Sequence, residues 1–171
     1  MRKVLAQVGL AVGLAVVQAA VLRHLGGGRY PVALGLPVVV WLGLTAATGE
    51  GAVGAAVIGW VLDALSGAPP GLHAFLAVLL FLVSRLGGTL LDVTGRAAFG
   101  LACGAGTLLM GLGAILLWRV TSSPEAAPGW PVLGRVLLEA VLTGLVSPAI
   151  RALLVRIDRL VEPEETGLLG S

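Results

Sequence analysis

The chain has 171 residues, 57% of them hydrophobic and only 12% charged, with a net charge of +2 and a mean hydropathy of +1.01. A soluble domain carries about 25% charged residues, so a water-facing surface around a chain this long is excluded. The 11 lysines and arginines are spread along the sequence rather than gathered in a patch, which excludes nucleic-acid binding.

Six apolar segments follow in chain order, at 4–22, 31–47, 51–66, 72–91, 97–118 and 132–150. A bilayer span needs about 20 apolar residues, so six spans fill the chain and leave only short connections. Hydrocarbon offers the backbone no partners, so runs of this length without strict alternation must be helices. The predicted architecture is therefore an all-α integral membrane bundle of six transmembrane helices. It forms one domain over residues 1–161, and 162–171 is a short cytoplasmic tail.

The first segment follows Arg2 and Lys3 and could pass for a signal peptide. It is longer than the usual apolar core of one, so it reads as a retained span. The breaks between segments carry glycine, proline and charge, which cap or stop helices. In the third segment Gly51, Ala55, Gly59, Asp63 and Gly67 recur every four residues. That spacing places them on one stripe, and small residues let helices approach closely in a membrane. Asp63 on this stripe is costly in hydrocarbon and must face the bundle or water. The simpler reading has it capping the next helix or bonding across the seam. The functional alternatives are a partner contact, a solute ligand or a proton carrier.

Arg85, late in the fourth segment, either snorkels to the headgroups or pairs with Asp92, two turns on. Cys103 reads as a small buried packing residue, and Gly100 with Gly104 as a close-packing pair. In the sixth segment Arg135 and Glu139 are available as an i,i+4 ion pair. Pro148 should end or kink that helix. Beyond it, residues 149–161 read either as a basic amphipathic helix on the membrane surface or as a plain continuation of the span. With the N-terminus inside, the cytoplasmic side holds Arg2, Lys3, Arg85, Arg96, Arg151, Arg156 and Arg159. The other side holds Arg23, Arg29, Arg119 and Arg135. The positive-inside rule then places both termini in the cytoplasm.

No catalytic constellation emerges. Asp63 and Asp92 fall near opposite ends of adjacent spans, roughly 25–30 Å apart by helix rise, too far to share a proton. The histidines, His24 and His73, accompany no serine-nucleophile motif, and His73 reads as a polar residue at the membrane interface. There is no Cys/His cluster for a metal and no phosphate-binding glycine loop. The expectation is a non-enzyme with no metal and no cofactor.

The stretch from Gly59 to Ala74 reads GWVLDALSGAPPGLHA. A span ending in Gly-x-x-x-Asp-x-x-x-Gly, a short Pro/Gly turn, and Gly-Leu-His-Ala opening the next span resembles the rod shape-determining MreD family. The matching positions are Gly59, Asp63, Gly67, Gly71 and His73. The doubled Pro69-Pro70 departs from the more usual single proline and should stiffen the turn. The resemblance implies a membrane scaffold of the bacterial elongation machinery in the cytoplasmic membrane. Its partner would be an MreC-like protein, and it would support the RodA–penicillin-binding protein 2 synthase and MreB filaments, in contact with membrane lipid. It also implies a six-helix fold like that of the substrate-binding subunits of energy-coupling-factor transporters. Structural or partner-contact roles would fall to Gly59, Asp63, Gly67, Pro70, Gly71, His73 and Arg85. The alternative is a solute-binding subunit of that transporter type, with an outward pocket built from Asp63, His73 and Trp60.

Overall fold

The structure is a computed structural model, and it describes residues 2–24, 33–66, 70–90, 95–121 and 130–161. These fold into six helices: α1 (Arg2–His24), α2 (Leu36–Thr45), α3 (Thr48–Ser66), α4 (Leu72–Leu90), α5 (Arg96–Thr121) and α6 (Trp130–Val161). No strand occurs among the described residues. Five of the helices are long and apolar enough to cross a membrane, and α2 is not. The antiparallel pairs α3–α4 and α5–α6 form the two most extensive packing seams.

Burial runs opposite to that of a water-soluble protein. Large apolar side chains such as Trp60, Leu86, Leu101, Leu145 and Leu160 cover the exterior, while Gln7, Asp63, Thr107, Thr143 and Ser147 are buried. A contiguous apolar exterior would aggregate in water and suits a hydrocarbon solvent. Polar groups inside are admissible because each finds a partner in the bundle. Thr107 and Ser147, for example, donate to the carbonyls of Cys103 and Thr143 one turn back. Cys103 itself is fully buried, as its reading as a packing residue requires.

The second segment departs from the expected span. Its helix has 10 residues, about 15 Å at the α-helical rise, half of a ~30 Å hydrocarbon core. It is sheathed by the other five helices, and Leu36 to Val40, Leu42 and Gly43 are buried. The non-helical stretch Ala33–Gly35 before it is half-buried to buried against the bundle, where its donors need protein partners. Ala33 N–H donates to Thr143 Oγ1 at 3.1 Å, and Leu34 N–H donates to Gln18 Oε1 at 2.9 Å. Non-helical backbone at membrane depth is tolerated only on such terms. A periodicity reading cannot see this, because the apolar run 31–47 continues through the break.

Two readings left open by the sequence are narrowed by the structure. Arg85 is not a free snorkelling cation: its Nη1 donates to the Ala46 carbonyl at 2.7 Å. Ala46 is the extended C-cap of α2, so the guanidinium closes the negative end of that short helix. Its other expected partner, Asp92, lies outside the described residues. The basic segment after Pro148 is not a separate surface helix either. α6 runs unbroken for 32 residues through Pro148, and its last turns pack inward. Asp158 accepts from Gln7 Nε2 at 2.6 Å and from Trp41 Nε1 at 3.2 Å. Arg151 lies over the Trp41 ring at 5.8 Å, and Phe99 meets that ring edge-on.

Pro148 is accommodated at the α5–α6 seam. Lacking an N–H, it leaves the Gly144 carbonyl without its usual i+4 donor. Here a methyl on Gly100 would sit 2.9 Å from that same oxygen, so α5 presses bare backbone against it. A side chain at Gly100 could not be accommodated against that oxygen without a shift of one helix. The tail 162–171 lies outside the described residues.

Candidate functional site

Asp63 ends the small-residue stripe of α3 and is 5% exposed. Its Oδ2 accepts from Gly71 N–H at 2.9 Å and from Ala74 N–H at 3.3 Å. Its Oδ1 accepts from His73 N–H at 2.8 Å and lies 2.9 Å from His73 Nδ1. An ionised carboxylate only accepts, so the ring nitrogen is the donor in that pair. The first turn of a helix presents N–H groups with no intrahelical partner, and the dipole favours a negative charge there. Asp63 supplies both needs of α4 from the preceding helix. The capping role is thus the one the geometry realises.

The glycines of the motif make this cap possible. At Gly59 a methyl would collide with the His73 carbonyl and lie 2.7 Å from Ala74 N, so α3 and the start of α4 touch backbone to backbone. Gly71 has φ +93°, a conformation that costs an L residue but not glycine. It turns the chain so that the backbone donors of Gly71, His73 and Ala74 face one carboxylate. Pro70 is exposed in this turn, and Gly67 lies outside the described residues. Gly59, Asp63, Gly71 and His73 therefore converge, whereas Arg85 sits at the other end of α4.

His73 joins this cap to a cavity of about 570 Å³. The cavity lies at the end of the bundle that carries the α3–α4 turn, opposite the end where α1 starts and α6 finishes. Leu62 and Leu65 of α3, Met110 and Ile115 of α5 and Val136 of α6 give it an apolar lining. Gln18, His73, Thr107, Arg135 and Glu139 are its polar groups. Gln18 and Thr107 are committed to Leu34 N–H and the Cys103 carbonyl. The ion pair expected between Arg135 and Glu139 is not formed among the described residues. The pocket expected from Asp63, His73 and Trp60 is not formed either. Asp63 is enclosed by its donors, and Trp60 is 64% exposed on the exterior.

Gln7, Gln18, Trp41, Thr143 and Asp158 escaped the sequence reading. The available signal was a lone polar residue within an apolar run, which flags a buried contact but names no partner. The described residues contain no group of three His, Cys, Asp or Glu able to hold a metal. Fold and site together define an all-helical bundle, five of its helices long and apolar enough to cross a membrane, with a capped α3–α4 hairpin and an adjoining polar-lined cavity. Comparison with protein-family models, with curated proteins and with solved structures finds no match.

Proposed function

We propose that the chain is a non-enzymatic scaffold of the bacterial cell-wall elongation machinery, of the MreD type, in the cytoplasmic membrane with both termini inside. The observation that supports it is the use made of the resemblance motif. Gly59, Asp63, Gly71 and His73 build a helix cap, and the Asp63 carboxylate is committed to donors of the chain itself. A motif used in this way fixes the position of one helix pair, as a docking platform requires. The apolar exterior offers the packing surface on which association in lipid depends. An MreC-like protein is the direct partner, and the RodA–penicillin-binding protein 2 synthase and MreB are reached through it or beside it.

The test is affinity purification of the tagged chain from its own host in mild detergent, with mass spectrometry of what is retained. Recovery of an MreC-like protein or the synthase is the expected result. Recovery of an ATPase pair with a coupling membrane subunit would instead make this the solute-binding subunit of an energy-coupling-factor-type transporter. That second reading has the 570 Å³ cavity in its favour.

A further inference from the structure

We propose that the cavity beside the α3–α4 turn binds a zwitterionic amphiphile, whose ammonium meets Glu139, whose acidic group meets Arg135 and whose apolar part fills the remainder. The inference does not rest on the scaffold reading, since a membrane scaffold and a transport subunit can each hold such a ligand.

Glu139 lies nine residues into α6, roughly 14 Å along the helix, within the apolar stretch Val132–Val161. Its carboxylate is half-buried and feels the nearby charge of Arg135 and the His73 ring, but makes no hydrogen bond or direct ion pair among the described residues. Arg135, one turn earlier, is exposed and makes none either. An ionisable group inside a span is expensive and normally pairs or faces water. These two have the i,i+4 spacing at which a direct pair forms readily, and they do not form it. Both line the cavity instead.

The cavity has the dimensions of a ligand site, since such pockets run to about 300–1,000 Å³ with mostly apolar walls and a few placed polar groups. At this spacing the Cβ atoms of the two residues stand about 6 Å apart. A ligand with an ammonium and an acid a few bonds apart reaches both. A purely anionic ligand would leave Glu139 repelled, and a purely cationic one would leave Arg135 so. The walls of Leu62, Leu65, Met110 and Ile115 reward an apolar body. Two sources carry this chemistry: the headgroup of an ethanolamine phospholipid, and a free amino acid with an apolar side chain.

The test uses the full chain purified in detergent and measures native mass spectra and thermal shifts. The probes are phosphatidylethanolamine, phosphatidylglycerol as an anionic control, and free leucine and phenylalanine. Retention of phosphatidylethanolamine over phosphatidylglycerol identifies the lipid source. A thermal shift with the amino acids identifies the solute source. Either way Glu139→Gln should weaken binding about tenfold, as loss of a charge-assisted hydrogen bond does, and Arg135→Gln by a similar factor. Arg156→Gln, at the opposite end of the bundle, should leave binding unchanged. Arg135 is exposed, so its variant keeps the test open if Glu139→Gln fails to fold. The proposal is overturned if no probe binds, if phosphatidylglycerol is held as well as phosphatidylethanolamine and neither amino acid gives a thermal shift, or if the variants that fold bind as the wild type does.

Discussion

Asp63 shows how one residue type can be recognised and its role still left open. A carboxylate on a small-residue stripe must have partners. That those partners are the backbone donors of the next helix depends on Gly71, whose positive φ is a property of the folded turn. The sequence supplied the candidates, Gly59, Asp63, Gly71 and His73, because Gly and Asp are conspicuous in apolar surroundings. It could not supply the choice between cap and ligand. Removing the carboxylate by Asp63→Leu should strand donors of α4 and cost about 3 kcal/mol, from a lost cap plus orphaned buried N–H groups. Asp63→Asn keeps one acceptor oxygen and should cost less. Tryptophan fluorescence during thermal unfolding in detergent would rank the two, and equal stability of Asp63→Leu and wild type would refute the cap.

The glycines give a second comparison at this scale. Gly59→Ala must push α3 off α4 and should cost about 1–3 kcal/mol, the usual range for overpacking. Gly71→Ala should cost about 1–2 kcal/mol from backbone strain. Gly13 has open space around its Cβ position. Gly13→Ala should be neutral or stabilising by up to about 1 kcal/mol, the gain in helix propensity. The same unfolding measurement checks all three, and a uniform response would mean that packing at the motif is not special.

At the scale of elements, apolar length located all six segments but misjudged the second. Hydropathy responds to composition, and the backbone at Ala33–Gly35 is as apolar as a span. What interrupts the helix there is invisible without Gln18 and Thr143, from α1 and α6. The continuation of α6 past Pro148 was open, because two of the basic residues that suggested a surface helix, Arg156 and Arg159, are exposed while Arg151, Leu154 and Asp158 turn inward. Thr143→Val is nearly isosteric and removes the acceptor for Ala33 N–H. It should destabilise the bundle by about 1–3 kcal/mol, the desolvation cost of an unmet buried donor. Gln18→Met should do likewise for Leu34 N–H. Chemical denaturation in mixed micelles would measure both, and a neutral pair of variants would place water rather than side chains at that break.

For the molecule as a whole, the contact of Gln7 with Asp158 at 2.6 Å puts the start of α1 and the finish of α6 at one end. Pro70 marks the other. In the orientation proposed above from the positive-inside bias, the first end faces the cytoplasm. In a Cys103→Ala background, a membrane-impermeant thiol reagent added to intact cells should modify Pro70→Cys and spare Arg159→Cys. The reverse pattern would invert the orientation. That the start of α1 and the finish of α6 share one end was legible because apolar length, which set six segments running back and forth, is a whole-chain property. The cavity was not, because its walls come from helices far apart in sequence.

The break before α2 has a consequence for how the chain is made. Its two backbone donors are met by one residue already synthesised, Gln18, and by one that emerges more than a hundred residues later, Thr143. Until α6 leaves the ribosome, α2 is a half-length helix with an unsealed end, too short to cross by itself. The second segment therefore settles last although it is made almost first. A chain truncated before Thr143 should remain with the insertion machinery or be degraded, whereas an α3–α4 hairpin carries its own Asp63 cap and can close as soon as it is synthesised.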